Sequence, residues 1–394
     1  MPRQQMNITS IRAAFPALSR IHNGRPVAYF DAPGGTQVPR SVADAMTDYL
    51  FHHNANTHWA YPTSEETDAI IERARESAAE FLGARADEIS FGANMTTITF
   101  HLSRALGRTW RAGDEVIVTE LDHHANVAPW RALEIDRGIV VRTARMIRET
   151  CEVDMEHLAS LAGPKTRLIA IGGASNAVGT INDLARVRQI AKGAGALFFV
   201  DAVHLAPHEA IDVREIGCDF LAVSAYKFYG PHIGILFAKK DLAESLPFPK
   251  LEPSPDTSPK RAETGTQNQE GIAGVIPAVE FMRSIEAAGE GARRHPETLW
   301  NGLTSMKHVR VFGLPPSKPR TPTFGFTVGG MTSEEVARVL ARNALFVSHG
   351  DFYAMTLVQK LGVEGLVRVG CAAYTNDEEV ERLLGSVDDL RSGR

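Results

Sequence analysis

At 394 residues the chain is long enough for two domains with sizeable cores, and 44% hydrophobic with 23% charged residues is an ordinary globular composition. A net charge of −5 without a basic tract argues against a nucleic-acid partner, and no apolar run nears the roughly 20 residues of a membrane span. The start, MPRQQMNITSIRAAFP, has no signal-peptide core, and Cys151, Cys218 and Cys371 form no CxxC pair, so the expectation is a cytoplasmic protein with neither a disulfide framework nor a zinc site.

Short apolar runs alternate with helical patterns through the first two thirds. EISF (88–91) precedes a helix opening near Thr96, and EVIVTE (115–120) ends at a histidine pair. GIVVRTAR (138–145), RLIAIG (167–172), ALFFVD (196–201), FLAVS (220–224) and GILFA (234–238) read as further strands. A helix over 183–195 stops at glycine just before ALFFVD. Continuous apolar strands separated by helices predict a mostly parallel sheet covered on both faces, with ligands bound where strands end. The proline-rich stretch 250–268 is a loop or hinge. Beyond it come a helix over 271–295, a strand TFGFTV (323–328), a helix over 333–343 and a strand LVRVG (366–370). The predicted organisation is an N-terminal segment (1–20) packing with the smaller unit, a large α/β domain (21–265) and a smaller α+β domain (266–394).

One short stretch, VSAYKFYGPHIGILF (223–237), places Lys227 among aromatic residues just past a strand end. Lysine is rarely buried without a partner, and burial makes its ammonium lose charge easily. Asp201 ends the preceding strand, one β-α-β step away. Alone, the pair reads as a buried ion pair or a solvent-turned lysine. Three neighbours shift that reading. FGANMTTITF (91–100) offers Thr96, Thr97 and free N–H groups to an anion, LDHHANVAPW (121–130) places His123 and His124 at another strand end, and GASNAVGT (173–180) adds Asn176. Each is ordinary by itself, as a helix cap or a polar loop. Together they put a phosphate seat, an imidazole, an amide, an acid and a lysine around one cleft. Pyridoxal phosphate needs those parts: a lysine for its aldehyde, a carboxylate for its ring nitrogen and donors for its phosphate.

In this order, DHHAN, SNAVGT, VDAVH, SAYKFYGPHIG and ETGTQN resemble the class V aminotransferase family, and within it the cysteine desulfurases and selenocysteine lyases. The resemblance runs from about Ile11 to the end. It implies pyridoxal-phosphate fold type I, with a large, mostly parallel seven-stranded sheet. It also implies Lys227 as the Schiff-base lysine, Asp201 at the ring nitrogen, His123 stacked on the ring, and Asn176 and His204 near the ring hydroxyl. Thr96, Thr97 and Ser224 would hold phosphate, joined by Thr266 of a second subunit in a homodimer with shared sites. Arg368 would grip the substrate carboxylate.

Three positions depart from the family pattern. Tyr226 stands where histidine is usual, with a hydroxyl able to reach phosphate, and His204 replaces a glutamine. In the loop VSHGDFYAMT (347–356), Tyr353 stands where desulfurases carry a persulfide-forming cysteine. Cys371 lies three residues past Arg368 on a strand, so its side chain should face away. The expected activity is Cα deprotonation of a small amino acid, with β-elimination of sulfur as the leading outcome and Tyr353 as proton donor. Epimerisation or transamination by the same family is the alternative. A remote alternative is a DHH-type metal phosphoesterase, from Asp122-His123-His124, although no glycine-rich histidine motif completes a metal shell.

Overall fold

The computed structural model describes residues 7–287 and 295–390. Seven strands build the large sheet: β1 (Ile89–Gly92), β2 (Glu115–Thr119), β3 (Val140–Ala144), β4 (Thr166–Gly172), β5 (Leu197–Asp201), β6 (Phe220–Ser224) and β7 (Gly234–Ala238). Their order is β1-β7-β6-β5-β4-β2-β3. The run from β6 to β3 is parallel, and β7 is antiparallel to both of its neighbours.

Strand periodicity explains why these runs lack the usual polar alternation. Ile169, Ile171, Phe198, Val200, Leu221 and Val223 face one buried cluster. Their neighbours Leu168, Ala170, Phe199, Phe220 and Ala222 face another on the opposite side. Both faces of the central strands are covered, so β5 and β6 are apolar until they end, where polar side chains emerge at one rim.

Helices α1 (Arg40–Asp48), α2 (Pro62–Leu82) and α3 (Met95–Gly107) cover this sheet together with α4 (Gln269–Ala287). The sequence-based division after residue 265 gives α4 to the smaller unit, yet α4 lies along α1 and α2. Its apolar residues Ile272, Val275 and Val279 join the large-domain core, which is what holds it there. The helix expected over 271–295 is present over Gln269–Ala287, and the rest of that expectation, residues 288–294, lies outside the described residues.

The second sheet is antiparallel, with β8 (Val309–Phe312), β9 (Thr323–Val328), β10 (Ser348–Gly350) and β11 (Leu366–Gly370) in the order β8-β9-β11-β10. Val367, Val369 and Cys371 point together into its own core with Phe324 and Phe326, which turns Arg368 the other way. The N-terminal segment ties the parts together. Arg12 pairs with Glu379 at 2.9 Å, and the Phe15 ring packs edge-on against Tyr229, Phe281 and Tyr374. Residues 1–6 lie outside the described residues.

Candidate active site

The ends of β2, β4, β5 and β6 open into a cleft of about 910 Å³. Among the predicted site residues, Thr96, Thr97, His123, Asn176, Asp201, His204, Ser224, Tyr226, Lys227, Tyr353 and Arg368 all line it. Thr266 does not. It is exposed on the loop after Glu263, in a separate groove that also touches Thr97. Buried Arg75 holds that loop through Glu263 at 2.8 Å.

Lys227 sits one short turn beyond β6, and its Nζ donates to the carbonyls of Pro33 (2.5 Å) and Gly34 (3.0 Å). Burial is the main reason its ammonium is destabilised, and the Arg368 charge adds to it. Together they bring the amine down to about 7 even though Asp201 pulls the other way. Burial likewise lifts the Asp201 carboxyl to about 6, against a 3.0 Å bond from the Val203 N–H and the attraction of Lys227. The cleft floor therefore holds an amine and an acid that both change charge near neutrality.

His123 and His124 diverge, as adjacent residues in a tight turn must. His123 faces the cleft, its Nδ1 accepting from the Ala125 N–H at 3.0 Å. Burial, then Lys227 and Arg368, push its imidazole down to about 4, so it is a neutral, flat ring. His124 serves the rim instead: its N–H donates to Tyr353 O at 2.7 Å, and its Nε2 meets Thr356 Oγ1 at 3.2 Å. Asp122 turns inward and takes the Gly172 N–H at 2.5 Å and the Thr119 N–H and hydroxyl. The three side chains of the DHH triplet thus point to three different places, and no group of metal-ligating side chains forms among the described residues. The phosphoesterase alternative has no shell to stand on.

At the anion seat, α3 is capped by Asn94 rather than by a threonine. Asn94 Oδ1 takes the Thr97 N–H at 2.9 Å and the Thr97 hydroxyl at 3.1 Å. Ser224 Oγ accepts from the Met95 N–H at 3.0 Å, which leaves its own proton to donate. Tyr226 stacks on His232 with centroids 5.0 Å apart, and Lys227 Nζ lies 5.1 Å from the Tyr226 ring centre. His204 is buried, with its Nε2 at 3.1 Å from Thr321 Oγ1, and burial keeps it neutral.

Arg368 is buried on β11. Its Nη1 donates to Asn176 O at 2.9 Å and its Nη2 to Ser348 Oγ at 3.4 Å, while Nε has no partner. Burial brings its guanidinium down to about 9, opposed by Asp31 and Tyr226. The rim loop lays Phe352 over it, with the guanidinium 4.1 Å from the ring centre. Tyr353 follows, 73% exposed, its ring 5.5 Å from that of His123.

Sequence reasoning missed Asn94, Phe352 and the Pro33-Gly34 carbonyls. The last had a signal in DAPGGTQVP. A Cβ on Gly34 would lie 3.3 Å from Arg368 Nη2, and one on Gly35 would lie 3.2 Å from the Tyr226 ring, so paired glycines mark a close backbone approach.

The donor set fits pyridoxal phosphate. Asn176 Oδ1 is buried without a partner, and the cleft supplies a near-neutral amine, a carboxyl, a flat neutral imidazole and hydroxyls at a helix start. The sequence matches the class-V aminotransferase family over residues 28–383. It is 31% identical to a cysteine desulfurase of Pectobacterium atrosepticum (97% of this chain, 98% of that one). It is 32% identical to an aminotransferase-like protein of Gibberella zeae (98% and 99%). The fold superposes on the apo cysteine desulfurase of Thermococcus onnurineus with a TM-score of 0.90, 27% identity and 98% coverage of both chains. On the strand-end constellation and these likenesses together, the chain belongs to the class-V aminotransferase family and is a pyridoxal-phosphate-dependent enzyme of fold type I.

Proposed function

We propose that the enzyme is a cysteine desulfurase-like carbon–sulfur lyase that removes the Cα proton of a small sulfur amino acid and expels sulfur by β-elimination. The observation that carries this is the pairing of a buried, easily deprotonated Lys227 with a rim that presents Tyr353 where a thiol would be needed. All three cysteines are buried, and burial raises each thiol above its usual range. None is set up as a nucleophile.

Lys227 Nζ is the amine that would hold the cofactor by its aldehyde and, once free, would take the Cα proton of the substrate. When bound, pyridoxal phosphate supplies an electron sink for the pair left at Cα. Asp201 would stand at the ring nitrogen, His123 would cover the ring face, and Asn176 would meet the ring hydroxyl. The hydroxyls of Thr96 and Ser224, with the Thr96 N–H at the start of α3, would hold the phosphate. Arg368 fixes the carboxylate as a two-toothed fork. The Cβ–S bond then breaks with its electron pair on sulfur, and the Tyr353 hydroxyl donates a proton to it. A phenol has a hydroxyl proton to give but cannot hold a persulfide.

The test is product partition with cysteine, cystine and S-methylcysteine. Pyruvate and ammonia are expected. Alanine with persulfide on Cys371 overturns the elimination reading. Racemised substrate or amino transfer without sulfur release favours an epimerase or aminotransferase.

We further propose a cytoplasmic homodimer in which Thr266 completes the partner's phosphate site. Thr266 stands outside its own cleft, and a neighbouring segment leaves Phe51 and Trp59 76% and 61% exposed. That segment is fastened to the same region by Tyr49 Oη donating to Gln269 Oε1 at 2.7 Å. Thr266→Ala should weaken cofactor affinity, and unchanged affinity in a dilute monomer would refute the shared site.

A further inference from the structure

The rim loop does more than close the cleft. Phe352 and Tyr353 both adopt left-handed backbone, with φ of +55° and +58°. Such geometry is uncommon for aromatic residues and persists only where surroundings enforce it. Here the enforcing bonds are visible. Asn176 Nδ2 donates to Phe352 O at 2.9 Å, and the His124 N–H donates to Tyr353 O at 2.7 Å. The result is a closed circuit. The Asn176 side chain holds the Phe352 backbone, the Asn176 backbone carbonyl accepts from Arg368 Nη1 at 2.9 Å, and the Phe352 ring lies on the Arg368 guanidinium at 4.1 Å.

We propose that Phe352 is a positioning residue for Arg368, holding the guanidinium plane so that its edge can receive the α-carboxylate of the amino-acid substrate. The proposal rests on Arg368 being the carboxylate grip. A ring stacked on the face of a guanidinium consumes none of its N–H donors, whereas a hydrogen-bonding partner would occupy one. Among the described residues only Asn176 and Ser348 take donors from this arginine, and Nε is buried with no partner there. A carboxylate taking Nε and Nη2 would satisfy that orphan and form the two-toothed pair that fixes orientation. Phe352 is half-buried and packs against the apolar cluster that the two units share, so the plate under the arginine is itself held still.

The test titrates holoenzyme with L-alanine and with ethylamine, which lacks the carboxylate, and reads binding from the cofactor absorbance. In the wild type L-alanine should bind more tightly than ethylamine, and Arg368→Leu should erase that preference. Phe352→Leu keeps apolar bulk in the loop but removes the flat face. It should raise the Kd for L-alanine about tenfold while leaving that for ethylamine unchanged, and Phe352→Tyr should restore the wild-type ratio. If Phe352→Leu weakens both ligands equally, or neither, the positioning role is wrong even though the carboxylate grip stands. If wild type and Arg368→Leu show the same alanine-to-ethylamine ratio, the grip itself fails and the proposal with it. Unchanged cofactor absorbance and near-ultraviolet circular dichroism in the free variants separate these results from misfolding.

Discussion

The floor and the rim of the cleft are built on different principles. Asp201 ends β5 and Lys227 stands one short turn past β6, on adjacent parallel strands buried but for Leu197, so strand register and that turn fix their separation. Phe352 and Tyr353 stand on a loop in left-handed backbone, held by the Asn176 side chain and the His124 backbone N–H from distant parts of the chain. The floor sets which groups can exchange protons, and the rim sets what they meet. A fold can therefore keep one chemistry while its rim selects another outcome.

Removing the floor amine gives the largest effect. Lys227→Ala should lower pyruvate formation at least about a thousandfold, measured as kcat, because it deletes both the bond to the cofactor and the base. Residual activity within tenfold of wild type would transfer the base role to another group. Asp201→Asn removes the carboxyl proposed for the ring nitrogen, and a loss of about a hundredfold in kcat is expected. An unaffected rate would place that carboxyl away from the chemistry.

These floor residues were legible in sequence because burial made them conspicuous. A lysine among Tyr226, Phe228 and Tyr229, and an aspartate closing five apolar residues, break a pattern that the sheet otherwise enforces. The strands were legible for the same reason, TFGFTV and LVRVG to the residue. What could not be read depends on contacts across the chain. Nothing near Phe352 announces that Arg368 lies beneath it, since the partnership is made by β10 and β11 pairing and by Asn176 from the large domain. Asn94 was hidden by a nearer competitor, the threonine pair, for the role of helix cap. That the helix at Gln269–Ala287 lies along α1 and α2 is not legible either, because amphipathic pattern shows that a face is buried, not against what.

Acidity sharpens the contrast. The Lys227 amine loses its proton near 7 instead of 10.5, so it is a poor nucleophile below that pH and a good one above. The rate at which apoprotein takes up the cofactor covalently should rise about tenfold per pH unit below 7 and then level off. A rate still climbing beyond pH 9 would mean an amine with an ordinary value. At the rim the effects shrink. Tyr353→Phe should cost about tenfold in kcat for thiol release, less than the hundredfold or more typical of a buried acid, because water can substitute at so exposed a position. Equal rates would make Tyr353 a wall of the cleft and no more. Cys371→Ser should leave product partition unchanged, since that thiol sits in the core of the second sheet. A switch in products would reveal a sulfur acceptor there.

The most direct measurement is borohydride reduction of the yellow holoenzyme followed by peptide mapping. The phosphopyridoxyl group should be found on Lys227 alone, with bleaching of the cofactor band. An adduct on any other lysine, or holoenzyme that bleaches with no lysine modified, would contradict the assignment of the cleft floor on which the rest of the account depends.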